Sequence, residues 1–231
     1  MIYFHIYWYY NNYCSPLSVK KQLLFFGSYP PPYGGIASNL YHLLPELAKE
    51  RYEVTSVTFS EHDKTICSGK MTNIFVNKKR YFIRNIFSII LLFIKTIKLK
   101  NELRLKNFFV NCISAKYLIE KITILNIDII FIYDNLQGYN IPIIRQILGD
   151  KVVIIYQILG DYYLFPNTYI KHKKYNNLMF TNSNVVFSSS SYCAKSAKRL
   201  FNFDHKVRVI YTGVDSNIFL PVKEYQKAKI F

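Results

Sequence analysis

The sequence predicts an α/β domain built on a doubly wound parallel sheet. Short, continuously apolar runs of strand length recur between residues 22 and 215. Stretches with helical spacing of apolar residues separate most of these runs. Continuous apolar strands that alternate with helices are typical of a parallel sheet covered on both faces. Because the crossovers are right-handed, we expect ligands at the carboxyl ends of the strands, near the point where the strand order reverses.

The first three predicted elements form a βαβ unit. Residues 22–27 (QLLFFG) are a buried strand, residues 36–50 a helix, and residues 52–60 (YEVTSVTFS) a β-branched strand. An interior proline costs about 3 kcal/mol and kinks a helix, so Pro45 predicts a break near Leu44.

The same alternation returns in the second half of the chain. Helical stretches are predicted around residues 110–125 and over 141–149 and 191–203, and strands over 127–135, 151–159, 184–190 and 206–215. Ser190 or Ser191 is the expected N-cap of the last helix.

Residues 80–106 have a different character. Ile86–Ile94 is nearly all apolar but too short to span a bilayer, and several basic residues follow it, namely Lys95, Lys98, Lys100, Arg104 and Lys106. A helix with an apolar body and a basic end can lie on an anionic membrane surface. The alternative is that the apolar part belongs to the core and the lysines are solvated.

Composition indicates a folded, strongly basic chain. Of 231 residues 51% are hydrophobic and 19% charged, which excludes the composition of a disordered protein. Thirty Lys and Arg against fourteen Asp and Glu give a net charge of +16, which favours an anionic partner. Neither zinc-finger spacing nor an aromatic RNA-binding strand is present, so no nucleic-acid partner is expected.

The cysteines and the N-terminus point to the cytoplasm. The four cysteines lie far apart without a C-x-x-C pair or a histidine cluster, so we expect free thiols and no metal site. Residues 1–18 are rich in aromatic residues and lack the basic start and cleavage site of a signal peptide. They are predicted to be an appendage to the domain.

Gly34 and Gly35 lie between the first predicted strand and the first predicted helix. Adjacent glycines let a ligand approach backbone N–H groups, and the helix N-terminus adds partial positive charge, an arrangement that suits phosphate. The spacing matches neither the dinucleotide fingerprint nor the Walker loop. A purely structural turn is the alternative interpretation of the pair.

Three segments together carry a resemblance to a known family. They are GSYPPPYGGIASNL after the first strand, LAKERYEVTSVTF at the join to the second, and the run NVVFSSSSYCAKSAKRLFNFDHKVRVIYTGVDSNIFLP. The last run is the most specific of the three, because it contains Gly213-Val214-Asp215. Together the three segments resemble the amino-terminal half of glycosyltransferase family 4, a family of retaining enzymes with the GT-B fold. The resemblance covers roughly residues 20–221, although around residues 62–125 only the alternation of predicted elements matches.

The resemblance implies roles for particular residues. In that family the amino-terminal domain binds the acceptor, and chemistry occurs in the cleft toward a donor-binding domain. Gly34 and Gly35 would then contact the diphosphate of the donor and stabilise the leaving nucleoside diphosphate. Asp134 and Asp161, each just past a predicted strand, are candidate catalytic residues that contact the acceptor hydroxyl or act as general base; capping of their loops is the alternative. No cofactor or metal is implied, because the nucleotide-sugar is a substrate.

The sequence also departs from the family pattern. Leu159 stands before Gly160-Asp161 where the family commonly has histidine, and leucine cannot take that polar role. The E-x7-E motif of the donor half has one match, Glu53 and Glu61, but these flank a predicted strand about 26 Å long, so the match is chance.

These observations give an expected domain organisation and function. Residues 1–18 are the appendage, 19–212 a Rossmann-like GT-B amino-terminal domain, and 213–231 a linker-like segment, with the donor-binding domain expected to be absent. We expect the acceptor-side domain of a glycosyltransferase that uses a nucleotide-sugar and a glycan or lipid-linked acceptor. Such a chain would be inactive on its own, would lie at the inner membrane face, and could be completed by a separate donor-binding chain. The alternative is a non-catalytic binding or membrane-docking subunit.

Overall fold

The computed structural model describes residues 21–27, 35–49, 52–100, 103–133, 135–158, 167, 170–201 and 207–210. Within these ranges the strands are β1 (Lys21–Phe26), β2 (Tyr52–Ser60), β3 (Lys64–Ser68), β4 (Met71–Asn77), β5 (Ile129–Tyr133), β6 (Val153–Ile158), β7 (Val185–Ser188) and β8 (Val207–Val209). The helices are α1 (Gly35–Lys49), α2 (Lys78–Arg84), α3 (Ile86–Thr96), α4 (Leu105–Ile124), α5 (Asn135–Gly138), α6 (Ile141–Leu148), α7 (Lys173–Thr181) and α8 (Ser191–Phe201). Short 3-10 turns occupy Ile97–Lys100 and Gly149–Lys151.

The strands form one sheet in the order β3-β4-β2-β1-β5-β6-β7-β8. All neighbouring pairs are parallel except β3 with β4. The chain passes from β1 outward through β2 to β4, then returns to place β5 on the other side of β1. This reversal between β1 and β5 is a topological switch point, and the doubly wound parallel prediction is confirmed.

The central strands are buried on both faces. Every residue of β5 is buried, as are the last four of β1. Alternate residues enter two separate cores: Leu24 and Phe26 pack with α4 and α6 on one face, and Leu23 and Phe25 with α1 on the other. Burial on both faces explains why these strands contain continuous apolar runs rather than alternating ones.

Helix α1 continues through Pro45, so the predicted break near Leu44 is wrong. Proline removes one backbone hydrogen bond. On either side of it, Leu44 and Leu47 are almost fully buried in the core beneath the sheet. We infer that burial of these leucines offsets the cost of the proline, because each buried leucine side chain contributes about 1.5–3 kcal/mol.

The basic, apolar segment folds as two helices separated by Asn85. Asn77 caps α2 by accepting a hydrogen bond from the Arg80 backbone N at 2.9 Å. Helix α3 buries Ile89 and Leu92 against the core. Its other side, with the end of α2, exposes Ile83, Phe87, Leu91 and Ile94, which we call the apolar stripe; Phe87 is 83% exposed. No helix in the described ranges is long and apolar enough to cross a bilayer.

The close packing of α5 on β6 and α7 requires glycine at position 138. A Cβ built on Gly138 would lie 2.9 Å from the ring of the fully buried Tyr156 and 2.5 Å from the Met179 methyl carbon.

We expect Gly138→Ala to lower the free energy of unfolding by about 1–3 kcal/mol, because the Tyr156 ring cannot move without displacing its neighbours. Urea denaturation followed by circular dichroism measures this. Gly69→Ala, where no atom lies within 4 Å, shows the separate cost of backbone strain, because φ is positive at Gly69 and not at Gly138. Without the clash, alanine in place of a helical glycine would not destabilise the protein, so the absence of a loss at Gly138 would contradict the packing argument.

Candidate functional site

The switch point brings the ends of β1 and β5 side by side. Phe26 of β1 is paired with Ile132 of β5. On the other side of β5, Tyr133 is paired with Gln157 of β6. We call the edge of the sheet at which these parallel strands end the carboxyl edge. Gly27 follows β1 there, and its carbonyl oxygen accepts a hydrogen bond from Thr58 Oγ1 at 2.8 Å. The end of β1 is therefore fixed against β2 directly before the glycine-containing connection.

Gly35 is the first residue of α1. The first backbone N–H groups of a helix have no partner within it and carry partial positive charge. No acidic residue occupies the first turn of α1 to neutralise that charge. A helix that follows β1 directly in a parallel sheet begins at the carboxyl edge, which is where the sequence predicts an anion site.

The other predicted site residues lie outside the described residues. Gly34 precedes the described start of α1, Asp134 follows Tyr133 at the end of β5, and Asp161 and Leu159 follow Ile158 at the end of β6. Their roles stay predictions. The strands that end before the two aspartates are direct neighbours in the sheet.

Two buried polar side chains lie at the carboxyl edge near the ends of β6 and β7. Gln157 and Ser188 are both buried at the ends of β6 and β7. Ser188 Oγ donates to the Ser190 carbonyl oxygen at 2.8 Å, and Ser190 Oγ accepts from the Cys193 backbone N at 3.1 Å. Ser190 is thus the N-cap of α8, one of the two residues expected from the sequence.

Sequence reasoning missed a set of polar groups near the starts of α6 and α7. Asn140 is 1% exposed; its Nδ2 donates to the Gln137 carbonyl oxygen at 2.8 Å, while its Oδ1 has no partner among the described residues. His172 Nδ1 is likewise buried without a partner in that part of the chain. Tyr175 Oη donates to the Tyr139 carbonyl oxygen at 2.8 Å. Burial raises the pKa of Tyr139 to about 12, so its hydroxyl is a hydrogen-bond donor at neutral pH. Only the fold shows that these scattered residues are buried near one another.

Lys78 was also missed. It opens α2 just after β4 ends, with its Nζ 5.1 Å from the ring centre of Phe59 at the end of β2. Burial disfavours the ammonium and lowers its pKa from the ordinary 10.5 to about 8. A desolvated cation at the carboxyl edge is a candidate contact for an anionic ligand. Among the described residues, no three His, Cys, Asp or Glu side chains lie close enough together to hold a metal ion.

The lowered pKa of Lys78 makes stability depend on pH. Between pH 8 and 10.5 the unfolded chain binds a proton that the folded chain lacks, so this lysine makes stability rise with pH across that window. At neutral pH its full desolvation cost is present. We expect Lys78→Met to raise the free energy of unfolding at pH 7 by about 1–2 kcal/mol, discounted for partial solvent exposure, with the gain shrinking toward pH 10.

Urea denaturation of both proteins across this pH range measures the difference. Lys79→Met, on the next and exposed residue of α2, is the matched control and should change stability little. A gain for Lys78→Met that is constant with pH would contradict the desolvation argument.

Comparison with known proteins gives the family. The model described as Glycosyltransferase Family 4 matches residues 33–218. No curated protein matches the chain. Similar solved structures include sucrose-phosphate synthase from Thermosynechococcus elongatus, at 13% identity and a TM-score of 0.62, with 87% of this chain and 50% of that chain covered. The trehalose-phosphate synthase of Burkholderia vietnamiensis has 11% identity and a TM-score of 0.53, with 87% and 50% covered.

A third similar structure, from E. coli, is described as trehalose-6-phosphate bound with UDP-2-fluoro glucose. It has 12% identity and a TM-score of 0.51, with 86% of this chain and 50% of that chain covered. The present chain therefore spans about half the length of these three solved structures. These neighbours are glycosyltransferases of GT-B fold, which confirms the predicted fold class. Since the family model matches well over half of its residues, the chain belongs to glycosyltransferase family 4.

Proposed function

We propose that this domain forms the acceptor side of a glycosyltransferase that moves a sugar from a nucleotide-sugar to a glycan or lipid-linked acceptor. The observation that carries the proposal is the match of the family model over residues 33–218, which includes the start of α1 and the ends of β5, β6 and β7. That range contains each residue to which the sequence assigned a role in the reaction. The E. coli structure bound with UDP-2-fluoro glucose supports a nucleotide-sugar as the class of donor.

Gly34 and Gly35 are assigned to the phosphates of the donor. Negative charge builds on the leaving nucleoside diphosphate as the bond to the sugar breaks. Backbone N–H groups at the start of α1 would stabilise that charge without a side chain, as fixed dipoles do in an oxyanion hole. Asp134 and Asp161 are assigned to the acceptor, where a carboxylate can accept the hydrogen bond of the attacking hydroxyl or take its proton. The donor's nucleotide would be held by a second domain or by a separate donor-binding chain.

A non-catalytic subunit with the same fold is the second candidate. The observation that favours it is Leu159, because the family commonly has histidine at that position and leucine cannot form its hydrogen bonds. The domain would then bind a ligand or a membrane without carrying out transfer.

We further propose that the domain lies on an anionic membrane surface, at the inner membrane face. Ile83, Phe87, Leu91 and Ile94 repeat at helical spacing and are 62–83% exposed, so one face of the α2–α3 segment presents apolar side chains to solvent. The basic residues that follow the stripe would contact lipid phosphates, each adding about 1 kcal/mol near an anionic surface. A lipid-linked acceptor would be presented at the same surface.

Sugar transfer tests the catalytic proposal. We expect purified residues 1–231 to release no nucleoside diphosphate from a panel of nucleotide-sugars with glycan acceptors. Release should appear once a donor-binding half, from the same reading frame or a neighbouring one, is supplied. Gly35→Asn should then lower kcat at least about tenfold, because its side chain blocks the approach of the diphosphate.

Gly69→Asn is the matched control, since the same substitution at the opposite edge of the sheet keeps a residue that tolerates positive φ. Turnover by residues 1–231 alone would contradict the acceptor-side assignment. No turnover with a donor half would favour the non-catalytic subunit.

Liposome flotation tests the membrane proposal. The protein should float with vesicles that contain phosphatidylglycerol and stay in solution with phosphatidylcholine alone. Phe87→Glu should abolish flotation, because a carboxylate would replace the most exposed apolar side chain of the stripe. Ile124→Glu changes the charge equally at an exposed apolar residue of α4 outside the stripe and should float normally. Equal binding to both kinds of vesicle, or no effect of Phe87→Glu, would refute the proposal.

A further inference from the structure

A cavity of about 570 Å³ lies beside the outer edge of the sheet. Its walls come from β3, β4, α2 and α4. The lining residues used below are Asp63, Lys64, Arg80, Arg84, Tyr81, Tyr117 and Lys121. In the strand order, β2 separates β4 from β1, so the cavity lies away from the β1–β5 switch point. A volume of this size suits a small organic ligand.

Four cations line the cavity, against a single carboxylate. The cations are Lys64, Arg80, Arg84 and Lys121, and the carboxylate is Asp63. Asp63 is already engaged: its Oδ1 accepts from the Asn77 backbone N at 2.7 Å, and its Oδ2 from Arg80 at 3.3 Å. The excess of three positive charges therefore has no matching acid among the lining residues.

Glu120, a carboxylate that contacts the lining residue Tyr81, is also engaged with other groups. Glu120 Oε1 lies 3.1 Å from Lys116 Nζ, and Glu120 Oε2 accepts a hydrogen bond from Tyr81 Oη at 2.6 Å. The same bond holds the Tyr81 ring in place, with Tyr117 packed edge-on at 5.0 Å. Arg80 and Arg84 are one helical turn apart on α2, which places both guanidinium groups on the same face.

The two tyrosines form an apolar wall of the cavity; the Tyr81 hydroxyl already donates to Glu120, so the Tyr117 hydroxyl is the donor that this wall can offer to a ligand. Burial, with added repulsion from Asp63 and Glu120, raises the pKa of Tyr117 to about 12, and burial also raises that of Tyr81. Both hydroxyls therefore keep their protons at neutral pH. Lys121 Nζ lies 5.5 Å from the ring centre of Tyr117, so the cation and the ring border the same space.

We propose that this cavity binds a phosphomonoester carried on a small hydroxylated body, such as a sugar phosphate. Guanidinium groups pair with phosphate through two parallel hydrogen bonds, and the lysines add point charges. The tyrosine rings, which stand edge to face, offer apolar surface to a sugar ring, and the Tyr117 hydroxyl can donate to the hydroxyl groups of the sugar. The phosphate can belong to a free sugar phosphate or to the headgroup of a phospholipid. The site does not depend on the proposed sugar transfer, since its lining residues have no assigned part in that reaction.

Isothermal titration with glucose 6-phosphate tests the soluble form of the ligand. Wild-type chain should bind it, inorganic phosphate should compete, and glucose should not bind. The double variant Arg84→Gln/Lys121→Gln should weaken binding at least about tenfold, because each lost charge-assisted hydrogen bond is worth roughly a factor of ten. Lys79→Gln/Lys195→Gln removes two exposed lysines outside the lining and should bind as the wild type does. A circular dichroism melt establishes that both double variants fold.

Flotation with charge-matched vesicles tests the lipid form. Phosphatidic acid presents a phosphomonoester and phosphatidylglycerol a phosphodiester, so the wild type should prefer the former, and Arg84→Gln/Lys121→Gln should lose that preference while the control pair keeps it. Binding of glucose 6-phosphate that depends on Arg84 and Lys121 supports the soluble source, and a preference for phosphatidic acid that depends on them supports the lipid source. If neither form binds, or if the two double variants behave alike in both assays, the proposal is overturned.

Discussion

The parallel pairing of β1 on both sides is the constraint on which the rest of the domain depends. β1 bonds to β2 along its whole length and to β5 from Leu23 to Phe26. The four residues of β1 that pair on both edges, Leu23 to Phe26, are also buried on both faces, so their side chains must be apolar. Phe25 fulfils this by stacking on Phe131 of β5 at 4.8 Å. The switch point lies beside β1, because the chain continues from β1 to β2 on one side and later returns from β4 to place β5 on the other side.

The sequence predicts the strands that are rich in apolar residues and misses β3 and β4, whose residues are exposed or alternate between buried and partly buried. β1, β2, β5, β6 and β7 consist mainly of apolar or β-branched residues, most of them buried, and each is predicted. β3 is exposed along its length and β4 alternates between buried and partly buried residues, so neither produces a continuous apolar run. The expected break at Pro45 was wrong because the local cost of proline was considered without the buried leucines on either side of it. Local propensity cannot account for a contact made across the sheet.

The residues of the candidate site also fall into those that the sequence could suggest and those that only the fold brings together. The glycine pair and the two aspartates could be proposed from the sequence, because a parallel sheet places residues that follow strands at one edge. Asn140 and Lys78 could not, since an asparagine or a lysine in the sequence gives no sign that the fold will bury it. The cavity near Arg84 was also out of reach, because its walls come from four elements, two of which the sequence did not predict. Several groups of the candidate sites are therefore recognisable only from the tertiary structure, while the architecture is largely encoded locally.

We propose that ligands of the transfer reaction contact this domain at the carboxyl edge of β1 and β5. Hydrogen–deuterium exchange of the active protein, with and without a nucleotide-sugar and acceptor that support turnover, detects this contact. Exchange should slow in peptides that contain the start of α1 and the residues after β5, and should change little near Gly69, at the amino ends of the strands. Protection confined to the amino ends of the strands, or to the helices far from the switch point, would contradict it.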